Sequence, residues 1–339
     1  LAVPTAVIAN NATPSYCDVE DFDFNVNPDK IISKCKRENV KAVVVQHTMG
    51  CASDVNSVME YCRPKKIFVI EDCALSVGSI DKGSKLGTKG DAAIISMELS
   101  KTISTGWGGV LVVKNAQLRE RLLVKYRDVP ITSWMSSTKD MLQSVICGIS
   151  YHPYIYTFIG KYVIYFCYKF RLFRISTSQA EINGNPSNDF VSKLHRVQAM
   201  FAISQWKRLD RIAIRSDANY KILSEALKAY GFILPCRNGN QSIIVSPRIS
   251  FLVTNVNETI SFFSKRNIEI GLWFDGPLSP LPESNLFCYD SRQFPNSTII
   301  AKHVVNLPCH SRLSNKDIQH ILQVLEEFTQ LQPWNIYRP

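Results

Sequence analysis

Along the first 128 residues the apolar positions fall into two rhythms. Continuous apolar runs occupy "KAVVVQH" (41–47), "IFVIED" (67–72), "AAIIS" (92–96) and "GVLVV" (109–113). Runs this short, bounded by polar residues or glycine, predict strands buried on both faces of a largely parallel sheet. "PSYCDV" (14–19) reads as a further strand. Helical patterns lie between the runs. "NPDKIISKCKREN" predicts a helix with Asn27 as N-cap and Pro28 at its first position, and "DVNSVMEYCRP" one capped by Asp54 and stopped near Pro64. Alternation of strand and helix is the signature of an α/β sheet with crossover helices.

The pattern changes after residue 128. "SVICGISYHPYIYTFIGKYVIYFCYKFRLFR" (144–174) is rich in aromatics, and from Ser144 to Tyr168 only His152 and Lys161 interrupt it. Pro153 and Gly160 break it as a single spanning helix. Apolar residues near 3.6 spacing then predict one long helix over 190–230, ending at Gly231. "IIVSPRISFLV", "VNETISFFSKRN" and "IEIGLWFDG" suggest a small α+β lobe, closed by the capped helix "LSNKDIQHILQVLEEF". The domain plan expected is a large domain at 1–128, an aromatic insert at 129–187, a connecting helix at 188–230 and a small C-terminal domain at 231–339. The opening "LAVPTAVIANNATP" reads as mid-element, so an incomplete N-terminus is expected.

Composition narrows this little. With 339 residues, 45% hydrophobic and 20% charged, the chain is that of a globular protein. Its net charge of +10 comes from scattered lysines and arginines, with no nucleic-acid-binding signature, and suits a phosphorylated substrate, an anionic surface or a solvated exterior. Ten cysteines without a CxxC read as reduced thiols of a cytoplasmic protein. On that reading the Asn-x-Ser/Thr triplets at Asn11, Asn240, Asn257 and Asn296 are chance matches.

Candidate chemistry centres on Lys101, in the turn between "AAIIS" and "GVLVV". A turn lysine is ordinarily a solvated surface residue. Here Asp72 ends one predicted strand, Ser96 ends another, and Gly106-Trp107-Gly108-Gly109 follows the lysine, a turn open to close approach by a ligand. In open α/β sheets the ligand crevice lies outside the carboxyl ends of the strands, where Asp72, Ser96 and Lys101 would meet. An acid, a hydroxyl and an amine around one crevice suit pyridoxal 5'-phosphate. The lysine forms a Schiff base, the acid pairs with the pyridinium nitrogen, and the hydroxyl helps to hold the phosphate.

"VIEDCALSVGS", "GSKLGTKGDAAIISMELSK" and "TGWGGVLVV" resemble the sugar aminotransferases of the DegT/DnrJ/EryC1/StrS family, pyridoxal-phosphate enzymes of fold type I. "VQHTMGCASDVNSV", "LHRVQAMFAISQWKRLD" and "FPNSTIIAKHVVNLPCHSRLSNKDI" resemble further family segments, in the family's order. The resemblance implies an α/β large domain with a small C-terminal domain, and a homodimer with its sites at the subunit interface. It implies transfer of an amino group from an amino acid, typically glutamate, to a keto-sugar, often a nucleotide-linked one; a lipid-linked sugar would follow only from the aromatic insert meeting a membrane. Lys101 would be the Schiff-base lysine and proton shuttle, Asp72 the partner of the pyridinium and Ser96 a phosphate contact. Lysine at 101 argues against the branch that carries histidine there and dehydrates sugars. Asp91 and His47 read as structural.

Departures from the pattern are Leu75 for a cofactor-contacting Gln or His, Met97 for Phe, and Val191 at the position of an Asn, with Asn188 nearby but out of register. The Ser-Gly-Thr phosphate cup and the ring-stacking aromatic of the family's N-terminal segment are not found. These departures, with the aromatic insert, suit an alternative class, a cofactor-poor homologue acting as a membrane-associated binding protein. The insert itself predicts peripheral membrane contact through residues 144–174, where tyrosines would sit at the headgroups and Lys169, Arg171 and Arg174 would meet anionic lipid.

Overall fold

The computed structural model describes the chain except residues 153–154, 186–189, 237–240, 275 and 282, and the side chains of 157 and 241. Pro153, Tyr154, Asn188 and Asn240, singled out above, lie outside the described residues.

The chain opens with α1 (Ala2–Ala9) and α2 (Pro28–Arg37), whose cap forms as the sequence predicts, with Asn27 accepting from the amide of Asp29. Such a cap contributes about 1 kcal/mol. β1 (Ala42–Gln46), α3 (Val55–Cys62) and β2 (Phe68–Asp72) follow, with Asp54 accepting from the amide of Ser57. Two short strands, β3 (Ile80–Asp81) and β4 (Ser84–Lys85), precede β5 (Ala92–Ser96) and β6 (Gly109–Val113). The main sheet has the order β1-β2-β5-β6, with β1, β2 and β5 parallel and β6 antiparallel on β5. This is the mainly parallel α/β architecture expected. One layer of its core packs Ile31, Val43, Val45, Val55, Val58 and Val69 between the sheet and α2 and α3.

The strands are less buried than their apolar runs predict. β1 alternates, with Val43 and Val45 buried and Val44 exposed, and Leu111 on β6 is 52% exposed. Val44 and Leu111 face a large cavity and not a second helix layer. "PSYCDV" forms no ladder either. Asp18 instead accepts from the amides of Asn296 and Ser297 at a helix N-terminus, and the Tyr16 hydroxyl donates to the carbonyl of Phe287. Side-chain contacts hold this segment in place of a strand partner.

After α4 (Ala116–Asp128) and α5 (Trp134–Ser150), a π-helical turn (Tyr156–Gly160) leads into α6 (Lys161–Lys169), so the aromatic segment folds as a helical hairpin. Among the described residues no helix is long and apolar enough to cross a membrane. The single helix expected over 190–230 is two, Arg196–Trp206 and Leu209–Ala229. They serve different partners. Gln198 and Gln205 fasten the first to the backbone of Ser104, Thr105 and Trp107, while Tyr220, Leu223 and Leu227 of the second pack with Phe251, Phe263 and Phe328. Beyond them β7 (Gln241–Ile243) pairs with β3, and β8 (Arg248–Leu252) pairs antiparallel with β9 (Val304–Pro308). The C-terminal helix Asn315–Leu331 has the predicted cap, a capping box between Ser314 and Asp317.

The reading of all ten cysteines as reduced fails at one pair. Cys51 and Cys236 form a disulfide with their Cα atoms 5.8 Å apart. They are 185 residues apart in sequence, so no local spacing announces the bond. Only the packing of the loop after β1 against the stretch after Leu234 brings them together.

Candidate active site

Side chains alternate along a strand, so adjacent residues point to opposite faces. The pair Glu71-Asp72 at the end of β2 uses this. Asp72 lies on the cavity side, 5% exposed, and accepts from the amide of Ala74 at 2.9 Å. Among the described residues that is the only hydrogen bond of its side chain. Burial pushes its carboxyl above the ordinary value, and the Ala74 amide, Lys101 and His47 pull in the opposite direction.

Glu71 points the other way and is fully buried. It accepts from the amides of Gly87 (2.9 Å), Lys89 (2.7 Å) and Gly90 (2.6 Å) and contacts His47 Nε2 at 2.9 Å. The amide of Ser53 donates to His47 Nδ1, which leaves the ring proton on Nε2, facing Glu71. Burial raises the Glu71 carboxyl, but its hydrogen bonds outweigh that and hold it below the ordinary carboxylate range. His47 and Glu71 thus fix the loop that carries "GTKGD". Asp91 in that loop accepts from the amide of Val69 and the side chain of Asn115. Asp91 and His47 occupy structural positions.

Ser96 ends β5 beside β2, with its hydroxyl facing the amide of Glu98 at 3.4 Å. Lys101 follows on the turn, half-buried, with Nζ 4.8 Å from the ring centre of Trp273. Burial lowers its proton affinity, while Glu98 and Asp72 raise it. The net direction is downward, which enlarges the neutral, nucleophilic fraction. Asp72, Ser96 and Lys101 all line one cavity of about 2720 Å³. The structure therefore gathers the three residues singled out in the sequence at the carboxyl edge of the sheet.

Trp107, Gly108 and Gly109 line the same cavity, as the sequence predicts, but Gly106 has another use. At Gly106 (φ +82°) a Cβ would lie 2.6 Å from the carbonyl of Asp140. The missing side chain admits the backbone of α5 and not a ligand. Leu75 and Met97 are both buried. Leu75 lies in the cavity wall, where it presents no polar group to a cofactor. Val191 is exposed.

Trp273 escaped the sequence reading. It comes from the segment before the C-terminal helices, 172 residues beyond Lys101, and no local pattern marks it. Its backbone is pinned on both sides by the fully buried Asn306, which accepts from the Trp273 amide at 2.6 Å and donates to its carbonyl at 2.9 Å. Glu71 also escaped, though period-two alternation beside Asp72 was a usable signal.

The profile of the DegT/DnrJ/EryC1/StrS aminotransferase family matches residues 1–152 and 165–326. The chain belongs to this family. It is a family of pyridoxal-phosphate-dependent sugar aminotransferases of fold type I with a dehydratase branch. An uncharacterized protein of Methanocaldococcus jannaschii, MJ1066, is 23% identical over 96% of this chain and 76% of its own length. A GDP-perosamine synthase of Escherichia coli O157:H7 is 33% identical over 36% of this chain and 34% of its own length. The crystal structure of a family aminotransferase from Brucella abortus superposes with a TM-score of 0.69 at 19% identity, covering 97% of this chain and 77% of that one. The chain thus spans about three quarters of two of these relatives and about a third of the other.

The donor set fits pyridoxal phosphate. A buried carboxylate with one oxygen uncommitted, a lysine that makes no ion pair among the described residues and a hydroxyl at the adjoining strand end share one cavity wall.

Proposed function

We propose that the chain is a pyridoxal-phosphate-dependent aminotransferase. It moves an amino group from an amino acid, with glutamate as donor, to the carbonyl carbon of a keto-sugar. The observation that carries this is the meeting of Asp72 and Lys101 in one cavity, the acid buried and the amine of lowered proton affinity.

Lys101 would hold the cofactor through its aldehyde and, when its amine is free, would carry a proton to and from the substrate's Cα. Asp72 sits where it can hold the proton of the ring nitrogen, and Ser96 where it can donate to the phosphate. Pyridoxal phosphate, when bound, supplies the sink for the electron pair left at Cα. A buried Asp72 carboxylate interacts strongly with a ring proton because little water competes.

Asp72→Asn tests the assignment. The amide cannot keep the ring nitrogen protonated, so the variant should retain the cofactor on Lys101 while both half-reactions slow by about 10²-fold or more, the scale seen for loss of one preorganised electrostatic group. Single-turnover spectroscopy of each half-reaction measures this. Near-normal rates would remove Asp72 from the chemistry.

The working unit we propose is a homodimer. Leu123 and Val124 on α4 and Met200, Phe201 and Trp206 on Arg196–Trp206 are exposed apolar side chains suited to a second subunit. Light scattering on cofactor-loaded protein should give twice the chain mass, and a monomer would refute it. Residues 144–174 make peripheral contact with a membrane, which suits a sugar presented near that surface.

A further inference from the structure

Residues 141–180 contain no Asp or Glu, but they carry Lys161, Lys169, Arg171 and Arg174. Forty consecutive residues without an acid are unusual in a chain that holds 29 acidic residues elsewhere. The fold turns this composition into a surface. Cys147, Ile164 and Phe173 are buried inside the hairpin, while Phe158 (80% exposed), Ile159, Tyr162, Tyr165, Phe166 and Phe170 face outward. Gly160 lets the turn close, since a Cβ there would strike the carbonyl of Ser150. Two of the cations lie over outward rings, Lys161 over Tyr162 at 5.1 Å and Lys169 over Tyr165 at 5.5 Å. The family profile passes over residues 153–164, of which the described ones, 155–164, lie at the turn into α6.

We infer that the hairpin face bearing Phe158, Tyr162, Tyr165, Phe166, Phe170 and the cations Lys161, Lys169 and Arg171 docks on a lipid surface of anionic headgroups. This rests on the peripheral contact proposed above and names its chemistry. Exposed aromatic rings with cations beside them are the composition of an interfacial anchor. Each cation near such a surface adds to binding, and none is offset by an acid of the segment itself; the acids that approach it, Glu98 and Glu269, act on Cys147, Tyr151, Tyr156 and Tyr168. The nine-residue α6 is too short to span a bilayer, which leaves an in-plane anchor. A second copy of the chain is the poorer occupant, because a two-fold interface sets a patch against itself and here would bring cation against cation.

The anchor also sets the orientation of the site. The chain leaves the hairpin through Arg174, whose guanidinium lies 4.7 Å from the ring of Trp107 in the cavity wall, and Ser176, which donates to Glu98. Gln143 of α5 clamps Arg174 by both its amide and its carbonyl. The base of the hairpin is therefore fastened to the loop that carries Lys101, and docking holds the cavity beside the lipid plane.

Flotation of the full chain tests this. Vesicles of phosphatidylcholine alone are compared with vesicles that also contain phosphatidylglycerol. Wild type should float with the anionic vesicles only, and less as salt rises. Lys161→Glu, Lys169→Glu and Arg171→Glu together should lower partitioning by about 10²-fold. Phe158→Ser, Phe166→Ser and Phe170→Ser together should also abolish flotation. Circular dichroism and turnover of a water-soluble keto-sugar, which needs none of these residues, check that the variants fold. Equal flotation on both vesicle types would overturn the anionic specificity while leaving the contact standing. Flotation on neither would overturn both. Variants that float unchanged but fall to half the mass in light scattering would assign the face to a second subunit.

Discussion

Lys101→Ala will carry no pyridoxyl group after borohydride reduction and will transaminate at less than about 10⁻³ of the wild-type rate. Two losses combine. The variant has no amine to bond the cofactor's aldehyde, and none to move the proton at Cα, a role that by itself accounts for about 10²- to 10⁴-fold. The fold should survive. Among its described contacts the ammonium makes only the cation–π approach to Trp273. Such a contact is worth about 0.5–2 kcal/mol depending on desolvation. The removed amine also leaves a half-buried position, so its own desolvation cost disappears. Peptide mapping of the reduced wild-type protein decides the matter. A pyridoxyl group found on another lysine would refute the assignment of Lys101.

Glu71→Gln should have the largest effect on stability, although Glu71 touches no substrate. The carboxylate gathers three backbone amides and the imidazole of His47 in a fully buried place. A glutamine keeps one acceptor oxygen and turns an NH₂ toward groups that themselves donate. Leaving even one of these buried donors unsatisfied costs about 1–3 kcal/mol. Urea unfolding should show that loss, and a change under about 1 kcal/mol would mean that the loop is held by other contacts. The pH dependence has a definite sign. The folded-state pKa of Glu71 lies below its unfolded value, so the folded state favours the charged form. Its contribution is complete above the ordinary carboxylate value of about 4.3 and is lost as pH falls through the lowered one. The variant should lose this part of the acid-unfolding limb.

Much of the candidate site was legible because its signals are local. Asp72, Ser96 and Lys101 each sit at the end of an apolar run or just beyond one. A strand end in an α/β sheet has a predictable place, since parallel order puts every carboxyl end on one edge. Helix starts were legible for the same reason. Asn27, Asp54 and Ser314 cap within three residues of themselves, and nothing distant competes. Family membership was legible from several such local motifs in order.

What the sequence did not determine depends on partners far along the chain. An apolar run states that a strand is apolar, but β1 and β6 show that the tertiary structure decides whether both faces are covered. The run over 190–230 is helical by periodicity, yet it breaks because its two halves dock on different surfaces. Glycines in the turn after Lys101 promised room, and only the fold shows that the neighbour at Gly106 is α5. Cys51 and Cys236 meet across 185 residues, and Trp273 reaches Lys101 from the far end of the chain. Local patterns fix dihedral angles, caps and periodicity, because those energies arise within a few residues. Which face is covered, which side chain walls the cavity and which thiols meet are set by long-range packing, whose free energy belongs to no single segment.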